Sequence, residues 1–517
     1  MKKRHFCLIV VFLVVPLIAA AGVTSRKGAT EPENYTPIDR TAKIRPDYTG
    51  VVLPPNIAPL NFLVLEPGSR CLVKIYSTAG KTISISSRNG IIKIPQRNWR
   101  ELLSKNRGNK LFFDVYVKAS DGRWNQYNPI VNTIAKEDID EYIAYRCMTP
   151  SSYYPKEMGV YQQNLENYDT SVVLHSKIYG YGCVNCHTFV NNSPENMLIG
   201  IRTVDYGDGT LFVSNGEVNK IGAKFGYTNW HPSGRLAAYS INKVKQFFHL
   251  SRREIHDVVD LDSGIVYYLV DSQTVKTITA LSDKDRLETY PAWTPDGKYL
   301  YFCSAPILWE DRNQLPPDNY DKVKYDLRRI SYDIQTDRWG EVETVLSAEQ
   351  TGLSIMLPRI SPDGRFLLFC MCEYGCFPVY QPSSDLYMMD LETGKYRELP
   401  EVNSDYSESW HSWSSNSRWI AFSSKRQGGL FTRIFFSYVD KDGKAYKPFV
   451  MPQKEPAFYD SLCKVYSVPE FVTGPIEIST KVLSHAVCST RKIDVDIPIT
   501  TATPAADSAD MEPWRIQ

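Results

Sequence analysis

Trp293-Thr-Pro-Asp-Gly297-Lys-Tyr-Leu-Tyr-Phe-Cys303 is the stretch that decides the fold. It joins a bulky apolar residue, a tight turn, one basic residue and an unbroken apolar strand. Pro fixes φ and Asp-Gly closes a hairpin. A strand apolar on both faces has to be covered on both sides. Three other stretches align with it without gaps: Trp230-His-Pro-Ser-Gly234-Arg-Leu-Ala-Ala-Tyr-Ser240, Ile360-Ser-Pro-Asp-Gly364-Arg-Phe-Leu-Leu-Phe-Cys370 and Trp413-Ser-Ser-Asn-Ser417-Arg-Trp-Ile-Ala-Phe-Ser423. Asp385 to Leu399 adds two strands around Thr393-Gly394, and Asp262-Ser-Gly264 and Asp333 to Asp337 occupy similar places. Short strands in repeated groups of four are the signature of an all-β propeller. Four recognisable units make a small propeller, so five or six blades are expected, one or two of them degenerate.

The units resemble the TolB-like propeller family, also seen in the propellers of prolyl oligopeptidases. The match is most specific in Tyr290-Pro-Ala-Trp-Thr-Pro-Asp-Gly297-Lys-Tyr-Leu-Tyr-Phe302 and spans about residues 206 to 450. The fourth unit departs from the pattern, having lost Pro-Asp-Gly. Prolyl oligopeptidases pair their propeller with a hydrolase domain. This chain has no Gly-x-Ser-x-Gly elbow and no αβ alternation after the repeats, which excludes that enzyme class.

Working outward, the 517 residues exceed one ordinary domain, and 43% hydrophobic content supplies real cores. A net charge of +1, with no basic stripe, argues against nucleic acid as a partner. Aromatic content of 12%, with 33 Tyr, suits β structure. Met1-Lys-Lys-Arg4, the short apolar run Cys7 to Ile18 and Ala19-Ala-Ala21 read as a signal peptide over 1–21, so an exported protein is expected. The rival reading of that segment is an uncleaved anchor. No later apolar segment is long enough to span a bilayer. Residues 22–48 read as a polar linker. Residues 49–145 fit a small β-sandwich-like domain: strands at Leu60 to Leu65 and Cys71 to Tyr76, a hairpin about Asn89-Gly90, a helix through Trp99, Leu102 and Leu103, and another short helix at Ile139, Tyr142 and Ile143. The propeller is expected over 206–480 and a largely disordered tail over 481–517.

Residues 146–205 carry the sharpest chemical signal, Cys183-Val-Asn-Cys186-His187. Two thiols two residues apart can add to both vinyl groups of one haem, and the next His then offers a neutral imidazole to the iron. A thioredoxin-like pair would need a βαβ setting, which is missing. A structural zinc site would need two more ligands at close spacing. The segment reads either as a degenerate first blade, with Met197 to Ile201, Thr210 to Val213 and Glu217 to Ile221 as its later strands, or as an irregular insert. Cys183 and Cys186 are the expected attachment points of one haem c, His187 the proximal ligand, and Met197 the expected distal ligand, ahead of Met158, His175, His231, His249 and His411. Of the other thiols, Cys71, Cys147, Cys303, Cys370, Cys372, Cys376, Cys463 and Cys488 cannot be paired from sequence, and those in apolar strands read as buried free thiols. Asp283, Asp285 and Glu288 read as solvated loop carboxylates.

Tyr179-Gly-Tyr-Gly-Cys183-Val-Asn-Cys186-His187-Thr-Phe189 ahead of such a propeller resembles the bacterial cytochrome c-like propeller proteins. The resemblance implies a periplasmic or cell-envelope haem protein without a defined substrate. The expected function is one-electron transfer to an envelope redox partner, with the propeller as docking scaffold. The alternative is an envelope scaffold that binds proteins or glycans, in which the haem has no redox role.

Overall fold

The computed structural model describes residues 31–150, 157–249, 251, 254–311 and 314–495. The signal peptide and the end of the tail therefore lie outside the described residues. The chain is mostly β, in small antiparallel sheets of the propeller type. The deciding stretch forms the inner pair of one sheet: Arg286–Trp293 runs into Tyr299–Pro306, followed by Asp326–Asp333 and Arg338–Leu346. Its turn is held as the residue types dictate. Asp296 accepts from the Thr294 hydroxyl at 2.6 Å and from the Lys298 amide at 3.1 Å, and Gly297 takes φ 71°. The fourth unit folds the same way without Pro-Asp-Gly. Asn416 accepts from Ser414 and Arg418, and Ser417 adopts φ 60°.

Among the described residues there are six such four-stranded sheets. Four contain the aligned repeats. A fifth is made of Cys183–Phe189, Asn196–Arg202, Gly209–Ser214 and Glu217–Ile221. The sixth combines distant parts of the chain: Tyr142–Met148, Gly159–Asn164 and Thr170–His175 are joined by Val465–Val472, which pairs antiparallel with Tyr142–Met148. The last strand among the described residues thus completes the sheet that the earliest repeat strands begin.

Five of the six inner strands share one irregularity, Thr228–Trp230 being the exception. Thr289/Ala292, Met356/Arg359, Ser409/Ser412 and Asn185/His187 each bracket a register shift, and Val465–Val472 has its own opposite Ala144/Arg146. Such bulges re-aim side chains. Tyr290, Leu357, Trp410 and Val468 sit at this point with φ between 47° and 55°.

The N-terminal unit is a seven-stranded sheet against a three-stranded one, with the helix Gln96–Lys105 burying Trp99, Leu102 and Leu103. Several expectations are corrected here. The supposed linker holds strands: Thr36–Thr41 pairs in parallel with Trp124–Asn128, and Ile44–Arg45 pairs with Phe62–Val64. Exposed polar side chains suit an edge strand, so polarity hid it. Asn89-Gly90 closes no hairpin, because Ile83–Ser87 pairs with Arg70–Tyr76 whereas Ile91–Ile92 pairs with Phe62–Val64 in the other sheet. The helix expected around Tyr142 is the strand Tyr142–Met148. The tail begins with order: Thr480–Cys488 is a helix capped by Ser479 that buries Leu483 and Val487, and Ile493 bridges to Ile221. Among the described residues no helix is long and apolar enough to cross a membrane.

Candidate haem attachment site

The Cys183–Phe189 strand carries the motif. Its register with Asn196–Arg202 fixes which side chains share a face, since partners across a ladder point the same way. His187 pairs with Ile199, and Phe189 with Met197. Both look toward the sheet of Tyr142–Met148 and join the core that includes Ala144, Val160, Val184 and Met197.

His187 is 2% exposed. Its ring lies edge-on to Phe189, with centroids 6.1 Å apart, beside the Ala144 and Val468 backbone. Its polar neighbours are the Ala144 and Val468 backbone groups, close enough to favour the ring's protonated form slightly but outside strict hydrogen-bond geometry. Burial, aided by the Arg146 and Arg359 cations, pushes its pKa down to about 3. The ring is therefore a neutral imidazole throughout the physiological range, which is the form that binds iron. His411 occupies the same bulge position in the Glu408–Trp413 strand, and burial likewise pushes it down to about 3. There both nitrogens are used: Nε2–H donates to the Leu368 carbonyl at 3.1 Å, and the Cys370 thiol lies 3.6 Å from Nδ1. The two histidines match in place.

Cys183 is half-buried, its Sγ 3.6 Å from Met158 Sδ, and the Val184 amide donates to the same thioether at 3.3 Å. Tyr179, immediately upstream, is buried with its hydroxyl unpartnered, and burial raises its pKa. Buried polar groups in folded proteins are nearly always hydrogen-bonded. The unpartnered Tyr179 hydroxyl and the buried His187 imidazole flank a half-exposed thiol, and the donor types fit haem c.

Their placement on the strand does not. Cys183 pairs with Arg202 and His187 with Ile199, three positions apart. At about 3.3 Å per residue that is roughly 10 Å along the strand, although Cys183 packs against the same core that holds Phe189, Met197 and Ile199. Met197, expected as distal ligand, stands on the adjoining strand and the same face as His187. It is a fully buried core residue beside the imidazole, where a distal ligand has to face the proximal one. The remaining candidates have other partners. His175 accepts from the Lys177 amide at 3.1 Å, His231 links Ser233 to the Gly297 carbonyl, and His249 donates to Asp257 at 2.9 Å. Among the described residues no group of three or more His, Cys, Asp or Glu side chains could hold a metal ion.

Sequence reasoning missed the charged groups nearby. Arg359 pairs with the buried Glu470 at 2.9 Å, joining two inner strands. Each follows a Pro at its bulge, Pro358 and Pro469, so aligning the bulges would have found them. Glu288 was also misread: it lies on Arg286–Trp293, 3% exposed. Cys71, Cys147, Cys303, Cys370, Cys372 and Cys376 are buried free thiols.

No protein-family description and no curated protein matches this chain. Among solved structures, an oligogalacturonate lyase in complex with manganese is 12% identical, over 78% of this chain and 99% of that one, with a TM-score of 0.34. An auxiliary nutrient binding protein from Bacteroides thetaiotaomicron VPI-5482 is 11% identical over 75% and 98%, with a TM-score of 0.31. Kuenenia stuttgartiensis hydrazine synthase is 12% identical over 50% and 64%, with a TM-score of 0.29. Likeness at this level assigns neither a family nor an activity.

Proposed function

We propose that this chain is an exported c-type cytochrome-like protein of the periplasm or cell envelope. It carries one haem c on a six-bladed TolB-like propeller, with one blade per four-stranded sheet. Cys183 and Cys186 would hold the group and His187 would ligate its iron. The two thiols would hold the group as thioethers, the bound group would supply a one-electron couple, and the propeller would supply the face on which a redox partner protein docks. The observation that carries this reading is the buried imidazole of His187 closing a Cys-x-x-Cys-His motif. Its twin His411, which has no such motif, is fully bonded. Met197 is not part of the proposal, because it packs in the core beside the imidazole.

The test is expression in a host with a working c-haem maturation system, followed by a haem stain on a denaturing gel. The wild type should stain, and Cys183→Ala with Cys186→Ala should not. A wild type that never stains ends the proposal. The second reading is an envelope scaffold binding proteins or glycans, and the roughly 10 Å separation of Cys183 and His187 along an extended strand favours it. Binding of a polymer or envelope protein by an unstained wild type would establish that alternative.

A further inference from the structure

We infer that the cleft between the sheet holding His256–Leu269 and the sheet holding Arg286–Trp293 is an oxyanion site, in which Arg286, Arg328 and Glu288 bind a carboxylate, phosphate or sulfate group. The inference goes beyond the haem reading and does not depend on it. Glu288 is paired with Ser304, and Ser304 with Asp326, so the three share one face of their sheet. Arg286 and Arg328 stand two positions from Glu288 and Asp326 and belong to the same face. Phe302, also on this face, packs with Leu236, Ala238 and Tyr267 of the neighbouring sheet. The interface between the two sheets is thus apolar at Phe302 and polar toward its rim, where the Arg286 and Arg328 side chains keep 20% and 23% exposure.

The polar row has donors to spare. Arg286 Nε donates to Ser304 at 2.9 Å, but its Nη2 has no hydrogen-bond partner, the nearest carboxylate oxygen being Asp326 Oδ2 at 3.6 Å. Arg328 Nη2 reaches that same oxygen at 3.5 Å, and its Nε is unpartnered. Two guanidinium groups therefore share one carboxylate oxygen, and each keeps a buried N–H unused. Glu288, 3% exposed, leaves Oε2 without a partner. Buried polar groups are nearly always bonded, and guanidinium N–H groups pair best with oxyanions. The matching position in another sheet shows the contrast. Glu408 stands opposite Ser424 as Glu288 stands opposite Ser304. The chain itself satisfies Glu408, through the Ser404 amide at 3.1 Å, the Ser404 and Ser424 hydroxyls at 2.8 and 2.7 Å and Arg426 Nη2 at 2.9 Å. The charged groups around Glu288 are Arg286 and Asp283 ahead of it, Arg328 and Asp326 on Asp326–Asp333, and Asp260 and Asp262 on the packed strand His256–Leu269. Burial keeps Glu288 protonated at neutral pH, so it meets an anion as a donor and not as a like charge.

Titration calorimetry of the full chain with sodium sulfate and, separately, sodium acetate tests the site, with ionic strength held constant by chloride. At about pH 6 at least one of the two should bind saturably, and the tighter one marks the ligand as tetrahedral or carboxylate. Neither probe changes charge on going to about pH 9.5, where the wild type should bind more weakly because Glu288 has ionised. Glu288→Gln, a neutral isostere, should bind equally at both pH values. Arg328→Met should weaken binding by about tenfold or more. Should Arg328→Met fail to fold, the pH comparison between wild type and Glu288→Gln still decides. Absence of saturable binding by either probe, wild-type affinity in Arg328→Met, or a pH dependence that Glu288→Gln shares with the wild type overturns the inference.

Discussion

Glu288 gives a prediction whose sign and size follow from its burial. The carboxyl is 3% exposed on an inner strand, and Oε2 has no hydrogen-bond partner. Burial pushes its pKa up to about 8 from the ordinary 4.5, against the opposing pull of Arg286 and Arg328. Those guanidinium groups lie near Asp326 as well, at 3.6 and 3.5 Å, which divides their charge. At neutral pH the native state holds a proton that the unfolded chain has released. A raised carboxyl of this kind contributes stability that is fully present below pH 4.5 and lost as pH climbs through about 8. At about 1.4 kcal/mol per pH step, the span from 4.5 to about 8 amounts to something on the order of 5 kcal/mol as an upper bound. Glu288→Gln keeps the shape of the protonated acid and cannot ionise. Urea unfolding at pH 4 should find wild type and variant nearly equal. At pH 8 the variant should be the more stable by about 3–5 kcal/mol. Asp260 and Asp385, each raised to about 7 by burial, weaken both proteins alike, so the difference between them isolates Glu288. A gap that is the same at both pH values, or that widens toward acid, would refute the reasoning.

Two further outcomes concern packing. Phe471, fully buried on the closing strand with its ring 5.7 Å from Phe436, should cost about 3–5 kcal/mol when replaced by Ala, read as a lower urea midpoint for the whole repeat region. Independent melting of the repeats, with only one of them affected, would mean that the last strand does not tie the sheets together. Met197→Ala should cost about 2–5 kcal/mol as a core truncation and leave haem staining and the visible spectrum unchanged. Loss of a sulfur-to-iron absorption in that variant would restore Met197 as the iron ligand.

The sheets that announced themselves in the sequence did so through their turns. Thr294-Pro-Asp-Gly297 and its relatives state a local backbone geometry, and even Ser414-Ser-Asn-Ser417 keeps the hydrogen bonds that matter, Asn standing in for Asp. The sheets that stayed hidden or ambiguous lack that turn. Tyr142–Met148 is covered on both faces, so it shows no alternation, and its partner Val465–Val472 lies more than three hundred residues away. Ile139, Tyr142 and Ile143 consequently read as a helical stripe. Thr36–Thr41 failed for the opposite reason: as an exposed edge strand it has nothing apolar to display. Asn89-Gly90 shows the limit of turn chemistry, because a tight turn can pass the chain from one sheet to another instead of folding it back.

The motif was legible as chemistry and illegible as geometry, and the bulges explain both. At this point in the inner strands the repeat places Pro291, Pro358 and Pro469, residues with no amide to donate where the ladder is interrupted. His187 and His411 are the exceptions, and a buried imidazole in place of a proline needs a reason, since its nitrogens must be satisfied or left at a cost. For His411 the reason is visible in the Leu368 carbonyl and the Cys370 thiol. His187 faces the Ala144 and Val468 backbone, and what distinguishes it is the pair of cysteines before it. The same neighbourhood hides Arg359 and Glu470 one residue past their prolines, so the bulge row supplies the polar groups of this region from several strands at once. Sequence alone offers Cys183, Cys186 and His187 as one motif because they are adjacent in the chain. Pairing with Asn196–Arg202 separates Cys183 from His187, and that pairing depends on partners the motif does not encode. The haem reading therefore requires that the motif's own local geometry prevail over a paired strand whose Val184 is itself buried in the core.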